Sequence, residues 1–334
     1  MKKLYTLSLS LLTISLSLAQ ASDPFLGTVG TALNANGWVT HSGATPGQLT
    51  IVAGSLTYSG MTSQGDKTQT VAGNSEDVNL ASAAPLTGVA YYSALINVQN
   101  TDGLALNTDP IGNYFLMFAT TAGSTGVTNF NGRIYIRAGA TAGTFNLGIL
   151  NGPGGTATPT YSGTDYNVGT TYFIVVKFDF ATNTASLWVN PSIGGTETAP
   201  TVTNVTGTTV APAQIASIAI RQAGTASAGT GNISIDEVRL GSTWAYVTSD
   251  VLGTNQNAVA GLRVYPNPVS NGTLFIETTA NAEKTVVVYD VLGKQVLNTT
   301  TSDSAINVAS LHTGVYIVNI TEEGKTASMK LVIK

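Results

Sequence analysis

Apolar residues recur at every second position along much of the chain. In the segment from Tyr172 to Phe180, the side chains of Tyr172, Ile174, Val176 and Phe178 would share one face of an extended chain. A period of two predicts a β-strand. The same kind of pattern predicts strands over 89–98, 114–119, 133–137, 145–150, 215–221 and 233–240. Beyond the N-terminal apolar run, no segment keeps the period of an amphipathic helix for three turns, so we expect an all-β protein.

Turn dipeptides separate these short strands. Asn36-Gly37, Asn131-Gly132 and Asn151-Gly152 are typical of tight turns between strands. Many short strands joined by turns of Gly, Thr and Asn favour a β-sandwich or jelly roll. We therefore predict a large jelly-roll sandwich, followed by a smaller immunoglobulin-like sandwich in the last part of the chain.

The strand around Val176 is followed by a second strand that carries a tryptophan. A four-residue turn at 181–184 would pair Phe178 with Leu187 and Lys177 with Trp188. Trp188 would then lie on the outer face beside Lys177, and a flat exposed indole is a surface on which sugar rings stack. We predict Trp188 and Lys177 as ligand-binding residues. The alternative is that Trp188 covers the methylene stem of Lys177 or packs beneath a loop.

The alternation breaks in the strand at 233–240. Its apolar positions change parity between Ile235 and Val238, which predicts a β-bulge at Asp236 and Glu237. A bulge redirects side chains, so Asp236 is a candidate for a special role. The simplest role is a hydrogen bond to a neighbouring loop or a pair with Arg239.

The N-terminus has the composition of an export signal. Lys2 and Lys3 precede an apolar run over 4–18 that ends at Ala19-Gln20-Ala21. This order predicts a signal peptide over residues 1–21, cleaved before Ser22. The run is shorter than the ~20 residues that a spanning helix needs, and no later stretch is a better candidate. We therefore expect no transmembrane segment.

Charge divides the remainder into two parts. Residues 22–250 carry 12 acidic and six basic side chains, a net charge of −6, whereas residues 262–334 carry six of each. Between them, residues 251–261 are small and polar, which predicts a flexible linker. The predicted domains are thus 22–250 and 262–334. The acidic balance argues against a nucleic-acid partner, and the absence of cysteine excludes disulfides, thiolate zinc sites and cysteine nucleophiles.

The large domain lacks the sequence patterns of common catalytic sites. His41 is its one histidine, and it contains no Gly-x-Ser-x-Gly elbow and no Glu-x-Asp-x-Glu run. The acidic pairs Glu76-Asp77 and Asp236-Glu237 are adjacent, so on a regular strand their side chains would point to opposite faces. A glycosidase whose two carboxyl groups come from distant strands stays open as an alternative.

The last 73 residues resemble a known export tag. The pattern comprises a Tyr-Pro-Asn-Pro entry, a Tyr-Asp-Val-Leu-Gly turn region, a Gly-Val-Tyr strand and a lysine-ended final strand, with key positions Tyr265, Pro266, Asn267, Pro268, Asp290, Gly293, Gly314 and Tyr316. It resembles the type A C-terminal sorting domain of type IX secretion cargo in the Bacteroidetes. The resemblance implies a small β-sandwich that is recognised by the secretion machinery, and a location outside the cell or on its outer surface. The alternative is an immunoglobulin-like spacer with no sorting role.

In these residues we also expect Pro266 and Pro268 to stiffen the chain before the first strand. We expect Asp290 and Gly293 to bracket a tight turn, and Gly314 to let the chain bend into the final hairpin.

The large domain resembles the concanavalin A-like, or laminin G-like, jelly roll. The resemblance rests on the segment 233–241 followed by Trp244, and on the run 186–191. It implies binding of a polysaccharide or cell-surface glycan, without catalysis, and a calcium ion with a structural role, for which Asp236 is the candidate ligand. Two alternatives remain: a structural surface or matrix protein without a specific ligand, and a glycoside hydrolase.

Overall fold

A computed structural model describes residues 20–43, 47–153, 158–207, 210–225, 228–250, 259, 262–278, 280–290, 293–322 and 325–334. The chain forms two compact units, 1–252 and 253–334. The predicted signal peptide lies outside the described residues up to residue 19, as does nearly all of the predicted linker. Gln20 and Ala21 belong to the large unit, because Gln20 accepts a hydrogen bond from the amide of Ala83 and Ala21 pairs with Leu240.

The large unit consists of short strands joined by turns. In chain order they are β1 (Ala21–Asp23), β2 (Val39–Ser42), β3 (Ile51–Val52), β4 (Lys67–Gln69), β5 (Asp77–Leu86), β6 (Val89–Val98), β7 (Asn113–Ala119), β8 (Phe130–Ala138), β9 (Thr144–Leu150), β10 (Thr160–Tyr161), β11 (Tyr166–Asn167), β12 (Thr171–Asp179), β13 (Thr184–Val189), β14 (Val202–Asn204), β15 (Ile215–Arg221), β16 (Gly224–Thr225), β17 (Ala228–Gly229) and β18 (Ile233–Gly241). A 3₁₀ turn at Leu33–Ala35 and a short helix α1 (Trp244–Val247) complete the unit.

Two antiparallel sheets make up most of this unit. Sheet 1 has the order β14-β13-β12-β6-β18-β4-β3, with β1 also paired to β18. Sheet 2 has the order β10-β9-β8-β7-β15-β5-β2, with β11 also paired to β9. Their inward side chains form one apolar core, in which Ile174, Val176 and Phe178 of β12 are fully buried. The alternation in the sequence therefore sets which side of each strand faces the core.

The predicted strands are present, with small differences at their ends. β6 and β15 have the predicted bounds, and β8 (Phe130–Ala138) extends the predicted segment 133–137 at both ends. The sequence pattern missed β5. Its apolar positions are diluted by Asn79, Ser82 and several alanines, so the period of two is weak there even though Val78 is fully buried.

The hairpin of β12 and β13 has a different register from the predicted one. Asp179 pairs with Thr184, and the turn at 180–183 includes Asn183 at a positive φ of 51°. Lys177 therefore pairs with Ser186, and Trp188 pairs with Val175. The predicted pairing of Lys177 with Trp188 is wrong by two residues, because the turn begins earlier than its composition indicated.

The predicted bulge in β18 is confirmed. Asp236 pairs with Leu95 and Arg239 pairs with Ser93, so two residues of β18 lie opposite a single residue of β6. Glu237 takes a positive φ of 50°. The extra residue lets both acidic side chains turn towards the outer side of sheet 1.

A second apolar cluster covers the outer side of sheet 1. It includes Trp188, Trp244, Tyr91 and Phe173, which lie beneath the segments 56–61 and 190–198. Trp188 is only 3% exposed, and its indole N–H donates to the carbonyl oxygen of Thr198 at 2.9 Å. The expectation of an exposed Trp188 is therefore wrong: loop 190–201 folds back over the indole, as the alternative interpretation held.

The small unit consists of two further sheets. Its strands are β19 (Arg263–Tyr265), β20 (Thr273–Glu277), β21 (Lys284–Asp290), β22 (Gln295–Thr301), β23 (Ala305–Asn307), β24 (Gly314–Glu322) and β25 (Lys325–Ile333). One sheet has the order β19-β20-β23 and the other β22-β21-β24-β25, and together they enclose a core with Val286, Val288 and Val318. The prediction of an all-β chain, with a large sandwich followed by a small one, is confirmed. Among the described residues, no helix has the length and apolarity needed to cross a membrane.

Candidate functional site

The outer side of sheet 2 carries a cluster of arginine and tyrosine side chains. On β8, Ile134 and Ile136 point into the core, so Arg133, Tyr135 and Arg137 point outwards. Tyr114 of β7 pairs with Tyr135, and Arg221 of β15 and Tyr161 of β10 lie on the same side. We call the side chains of Arg133, Arg137, Arg221, Tyr114, Tyr135 and Tyr161 the arginine–tyrosine face.

Tyr114 lies between two of the guanidinium groups. The Cζ atom of Arg221 is 4.1 Å from the centroid of the Tyr114 ring, and the Cζ of Arg133 is 5.1 Å from it. The rings of Tyr114 and Tyr135 are 5.3 Å apart. Such cation–π and ring contacts fix the planes of the guanidinium groups and so determine where their N–H donors point.

Arg137 forms the other end of this face. Its Cζ lies 3.9 Å from the centroid of Tyr161, and its Nη1 donates to the carbonyl oxygen of Asp109. Tyr161 donates its hydroxyl to the carbonyl of Ile111 at 2.7 Å. Burial raises the pKa of Tyr161 above its usual value, and the charge of Arg137 partly offsets this rise. The phenol is therefore neutral at physiological pH.

The face has an excess of positive charge. Three of the six basic side chains of the acidic large unit lie here, and none forms an ion pair with a carboxylate of the described residues. The carboxyl group nearest in register is that of Asp77, which pairs with Arg221 across β5 and β15. Burial raises the pKa of Asp77 to about 7, although Arg221 acts to lower it. Near neutral pH, Asp77 therefore compensates only part of the arginine charge.

A cavity of about 200 Å³ opens at one end of β8. Polar groups dominate its lining, which includes Thr120, Asn129, Asn131, Gly152, Asn183 and Pro212. Asn131 is 3% exposed and donates from Nδ2 to the carbonyl of Asn151, but its Oδ1 accepts no hydrogen bond from the described residues. Arg133 connects this cavity to the arginine–tyrosine face, because its Nη2 donates to the carbonyl of Gly152.

Lys177, the second predicted ligand-binding residue, lies at the border of the outer cluster on sheet 1. Its Nζ forms an ion pair with Glu197 at 2.8 Å, and the hydroxyl of Tyr91 donates to the same carboxylate at 2.7 Å. Burial, followed by the contact with Glu197, raises the pKa of Tyr91 to about 12. Lys177 and Glu197 thus hold the loop that covers Trp188, and Trp188 and Lys177 form no open binding surface.

Asp236, the predicted metal ligand, is fully buried in the bulge. Its Oδ2 accepts the backbone N–H of Leu56 at 2.7 Å, and its Oδ1 accepts that of Glu237 at 2.7 Å. Glu237 in turn accepts from the amide of Gln64 and forms a buried ion pair with Arg239. These contacts tie loop 55–64 to sheet 1, as the simpler interpretation held.

A calcium ion would need six or more oxygen ligands around Asp236. Amide N–H groups already point at both carboxylate oxygens, and no group of three His, Cys, Asp or Glu side chains suited to a metal ion occurs within the described ranges. The surroundings of Asp236 do not fit this ion. Melting of the protein with and without a chelator tests the calcium hypothesis.

The side chains of the adjacent acidic residues Glu76 and Asp77 have different surroundings, as their spacing predicts. Glu76 accepts the N–H of Leu49 at 2.6 Å and the hydroxyl of Thr40 at 2.7 Å, whereas Asp77 faces Arg221. The carboxyl groups of Glu76, Asp236 and Glu237 all accept backbone N–H groups. In these positions they tie loops to the sheets.

In the small unit, the predicted motif residues lie at the entry and at the turns. Asn267 donates to the carbonyl of Lys330 at 2.7 Å and accepts the N–H of Val332 at 2.9 Å, so it binds the last strand at two points. The peptide bonds before Pro266 and Pro268 are cis. Tyr265 stacks on Phe275 and donates its hydroxyl to Glu277.

The predicted turn at Asp290 and Gly293 is present. The N–H of Gly293 donates to the carbonyl of Asp290 at 3.0 Å, and Gly293 has a φ of +82°, which favours glycine. Gly314 begins β24 opposite Ile333, in the final hairpin with β25. Tyr316 is buried, with its hydroxyl donating to the carbonyl of His312.

Residues 263–334 match the family model described as "Secretion system C-terminal sorting domain". The small unit is a sorting domain. It indicates a protein that is secreted or located at the outer cell surface, as the sequence predicted. The match covers the small unit and leaves the large unit without a family assignment. No match to the chain was found among curated proteins.

Several solved structures are similar to part of this chain. One is a sialidase, with 14% identity and a TM-score of 0.41 over 68% of this chain; the chain spans 19% of the length of that protein. Another is the exoplasmic/lumenal domain of VIP36 in a Ca²⁺/Man3GlcNAc-bound form, with 14% identity and a TM-score of 0.35 over 66% of this chain and 92% of that one. The Emp47p carbohydrate recognition domain has 10% identity and a TM-score of 0.39, over 67% of this chain and 95% of that domain's chain.

The arginine–tyrosine face was not among the sites predicted from the sequence. One signal was available: in the segment 133–137, Arg, Tyr and Arg alternate with two isoleucines, which gives one apolar and one basic-aromatic side to β8. The contributions of Tyr114 and Arg221 depend on the order β8-β7-β15 in sheet 2, which no local pattern in the sequence contains.

Proposed function

We propose that the large unit is a non-catalytic glycan-binding module, exported by type IX secretion through its sorting domain, and that it binds glycans at the arginine–tyrosine face and the adjoining cavity. The protein would then attach to polysaccharide outside the cell. The observation that carries the proposal is at Asn131: this residue lines the cavity, and its buried Oδ1 has no hydrogen-bond partner among the described residues.

A buried polar atom without a partner is costly in a folded protein, so such an atom calls for a specific explanation. A sugar hydroxyl that enters the cavity would donate to Oδ1 of Asn131. Asn129, Asn183 and Thr120 line the same cavity with amide and hydroxyl groups. A concave site with a few convergent polar groups is the usual form of a small-ligand site.

The experiment is affinity electrophoresis of the purified protein through gels that contain single soluble polysaccharides, neutral and acidic. We expect retardation in at least one gel, and a loss of most of it in the variant Asn131→Leu. Asn34→Ala is the matched control, because Asn34 is exposed on the same unit and donates to Thr40. The control should migrate like the native protein.

Three results would change the proposal. Unretarded migration in every gel favours a structural matrix protein without a specific ligand. Retardation that Asn131→Leu leaves intact, in a protein with an unchanged melting midpoint, places the site elsewhere. Release of reducing sugar from a retarding polysaccharide would show a glycoside hydrolase.

A further inference from the structure

The arginine–tyrosine face concentrates cationic donors in an acidic unit. The remaining basic side chains of this unit already have partners: Lys177 binds Glu197, Arg239 binds Glu237, and Lys67 donates to the carbonyl oxygens of Ala53 and Gly54. Arg133, Arg137 and Arg221 have no carboxylate partner among the described residues. Their grouping is therefore not explained by the ion pairs of the fold.

Each of these guanidinium groups uses only a small part of its donor capacity. Arg133, Arg137 and Arg221 each donate from one Nη atom to a backbone carbonyl, namely those of Gly152, Asp109 and Tyr114. A guanidinium group has five N–H donors. The Nε atoms of Arg133 and Arg137 are buried and have no acceptor among the described residues, and Arg133 as a whole is 9% exposed.

The tyrosine rings keep these donors in place before any ligand arrives. Tyr114 contacts two of the guanidinium groups and Tyr161 contacts the third. A guanidinium group held in a fixed plane loses little rotational freedom when it binds an oxyanion through two parallel N–H bonds. The arrangement suits a carboxylate or sulfate group, each of which presents two oxygens at matching separation.

We propose that this face binds acidic polysaccharide, and that Arg133, Arg137 and Arg221 bind the carboxylate or sulfate groups of its sugar units. This inference rests on the proposed function and adds the class of glycan. The cavity at Asn131 would hold neutral hydroxyl groups of the same polysaccharide, since Arg133 contacts both the cavity and the arginine–tyrosine face.

The test compares matched polymers in affinity gels: polygalacturonate against its fully methyl-esterified form, and dextran sulfate against dextran. The native protein should be retarded at least tenfold more strongly by one acidic polymer than by its neutral partner. Arg221→Gln and Arg137→Gln should each lower the retardation about fivefold or more. Lys67→Gln is the control, because it removes the same charge from sheet 1 and should leave the retardation unchanged.

The two acidic polymers distinguish a carboxylate from a sulfate ligand. Equal retardation by acidic and neutral polymers, unaffected by the arginine variants, would overturn the inference and leave glycan binding at the cavity near Asn131 in place. No retardation by any polymer would overturn the proposed function itself. Retardation by single-stranded DNA that the same variants abolish would point to general polyanion binding and contradict a glycan ligand. Melting midpoints of all variants separate loss of binding from loss of folding.

Discussion

Arg221 lies against the ring of Tyr114, with its Cζ 4.1 Å from the ring centroid and its Nη1 donating to the Tyr114 carbonyl at 3.2 Å. This contact connects the neighbouring strands β15 and β7 on the outer side of sheet 2. Tyr114 thus holds the Arg221 guanidinium in two ways, through the contact with its ring and through the hydrogen bond to its carbonyl oxygen. The ring of Tyr114 therefore positions the donors of a second residue.

Tyr114→Ala should weaken glycan retardation about tenfold, because a cation–π contact of ~1–2 kcal/mol and the orientation of two guanidinium groups are lost together. Tyr114→Phe keeps the ring and should stay within about twofold of the native protein. Affinity electrophoresis on the polysaccharide that retards the native protein measures both. If Tyr114→Phe fails as badly as Tyr114→Ala, the hydroxyl group is the binding element and the ring is not.

Trp188→Ala should destabilise the large unit by roughly 3–5 kcal/mol, as is usual when a large buried aromatic side chain is removed. The indole packs 5.0 Å from the ring of Trp244 and donates to Thr198, so its removal leaves a cavity under the covering loop. Urea unfolding followed by the fluorescence of the remaining tryptophans measures the loss. Binding by the folded fraction should be unchanged. An unaltered unfolding midpoint would show that Trp188 is exposed after all.

Asp77 should make stability depend on pH. Burial raises its pKa from 3.8 to about 7 in the folded protein, so the folded state favours the protonated form. The contribution of this protonated carboxyl group to the free energy of unfolding is fully present below pH 3.8 and is lost as the pH rises through about 7. The free energy of unfolding that is lost over this pH range is on the order of 4 kcal/mol, at ~1.4 kcal/mol for each unit of pKa shift.

Asp77→Asn removes this titration and imitates the protonated form. Relative to the native protein, its melting midpoint should be nearly equal at pH 4 and several degrees higher at pH 8. Differential scanning calorimetry at the two pH values tests this. The same difference at both pH values would show that Asp77 does not titrate in this range.

Asp236→Ala should lower the melting midpoint, since the amides of Leu56 and Glu237 lose their acceptor inside the protein. The native midpoint should not change when a chelator such as EDTA is added. A lower midpoint in EDTA that calcium restores would show instead that Asp236 serves a bound ion.

Local pattern and tertiary arrangement contributed differently to what the sequence could predict. Alternation placed Ile174, Val176 and Phe178 in the core, and the change of parity at Asp236 located the bulge, because both depend on neighbours in the chain. The alternation does not show whether the outward side chains of a strand are exposed to solvent or covered by a loop. Phe173 and Val175 are apolar because they pack under the loop that covers Trp188, and no periodicity shows whether a loop folds back. For the same reason, Arg221 could not be placed beside Tyr114, which is more than 100 residues away in sequence.

Glycan binding at the arginine–tyrosine face is tested most directly by a heteronuclear NMR titration. The titration follows the Nε–H signals of the arginine side chains while trigalacturonate, and separately a sulfated dextran oligomer, is added. Arg133 and Arg137 have buried Nε groups with no acceptor among the described residues. The Nε of Arg239, which lies on sheet 1 and contacts Glu237 and Ser249, is in the same situation and serves as the internal control. If the face binds acidic glycan, the Arg133 and Arg137 signals shift saturably with one of the two ligands and the Arg239 signal does not move. If the Arg133 and Arg137 signals stay in place at saturating concentrations of both ligands, the arginine–tyrosine face is not the glycan site.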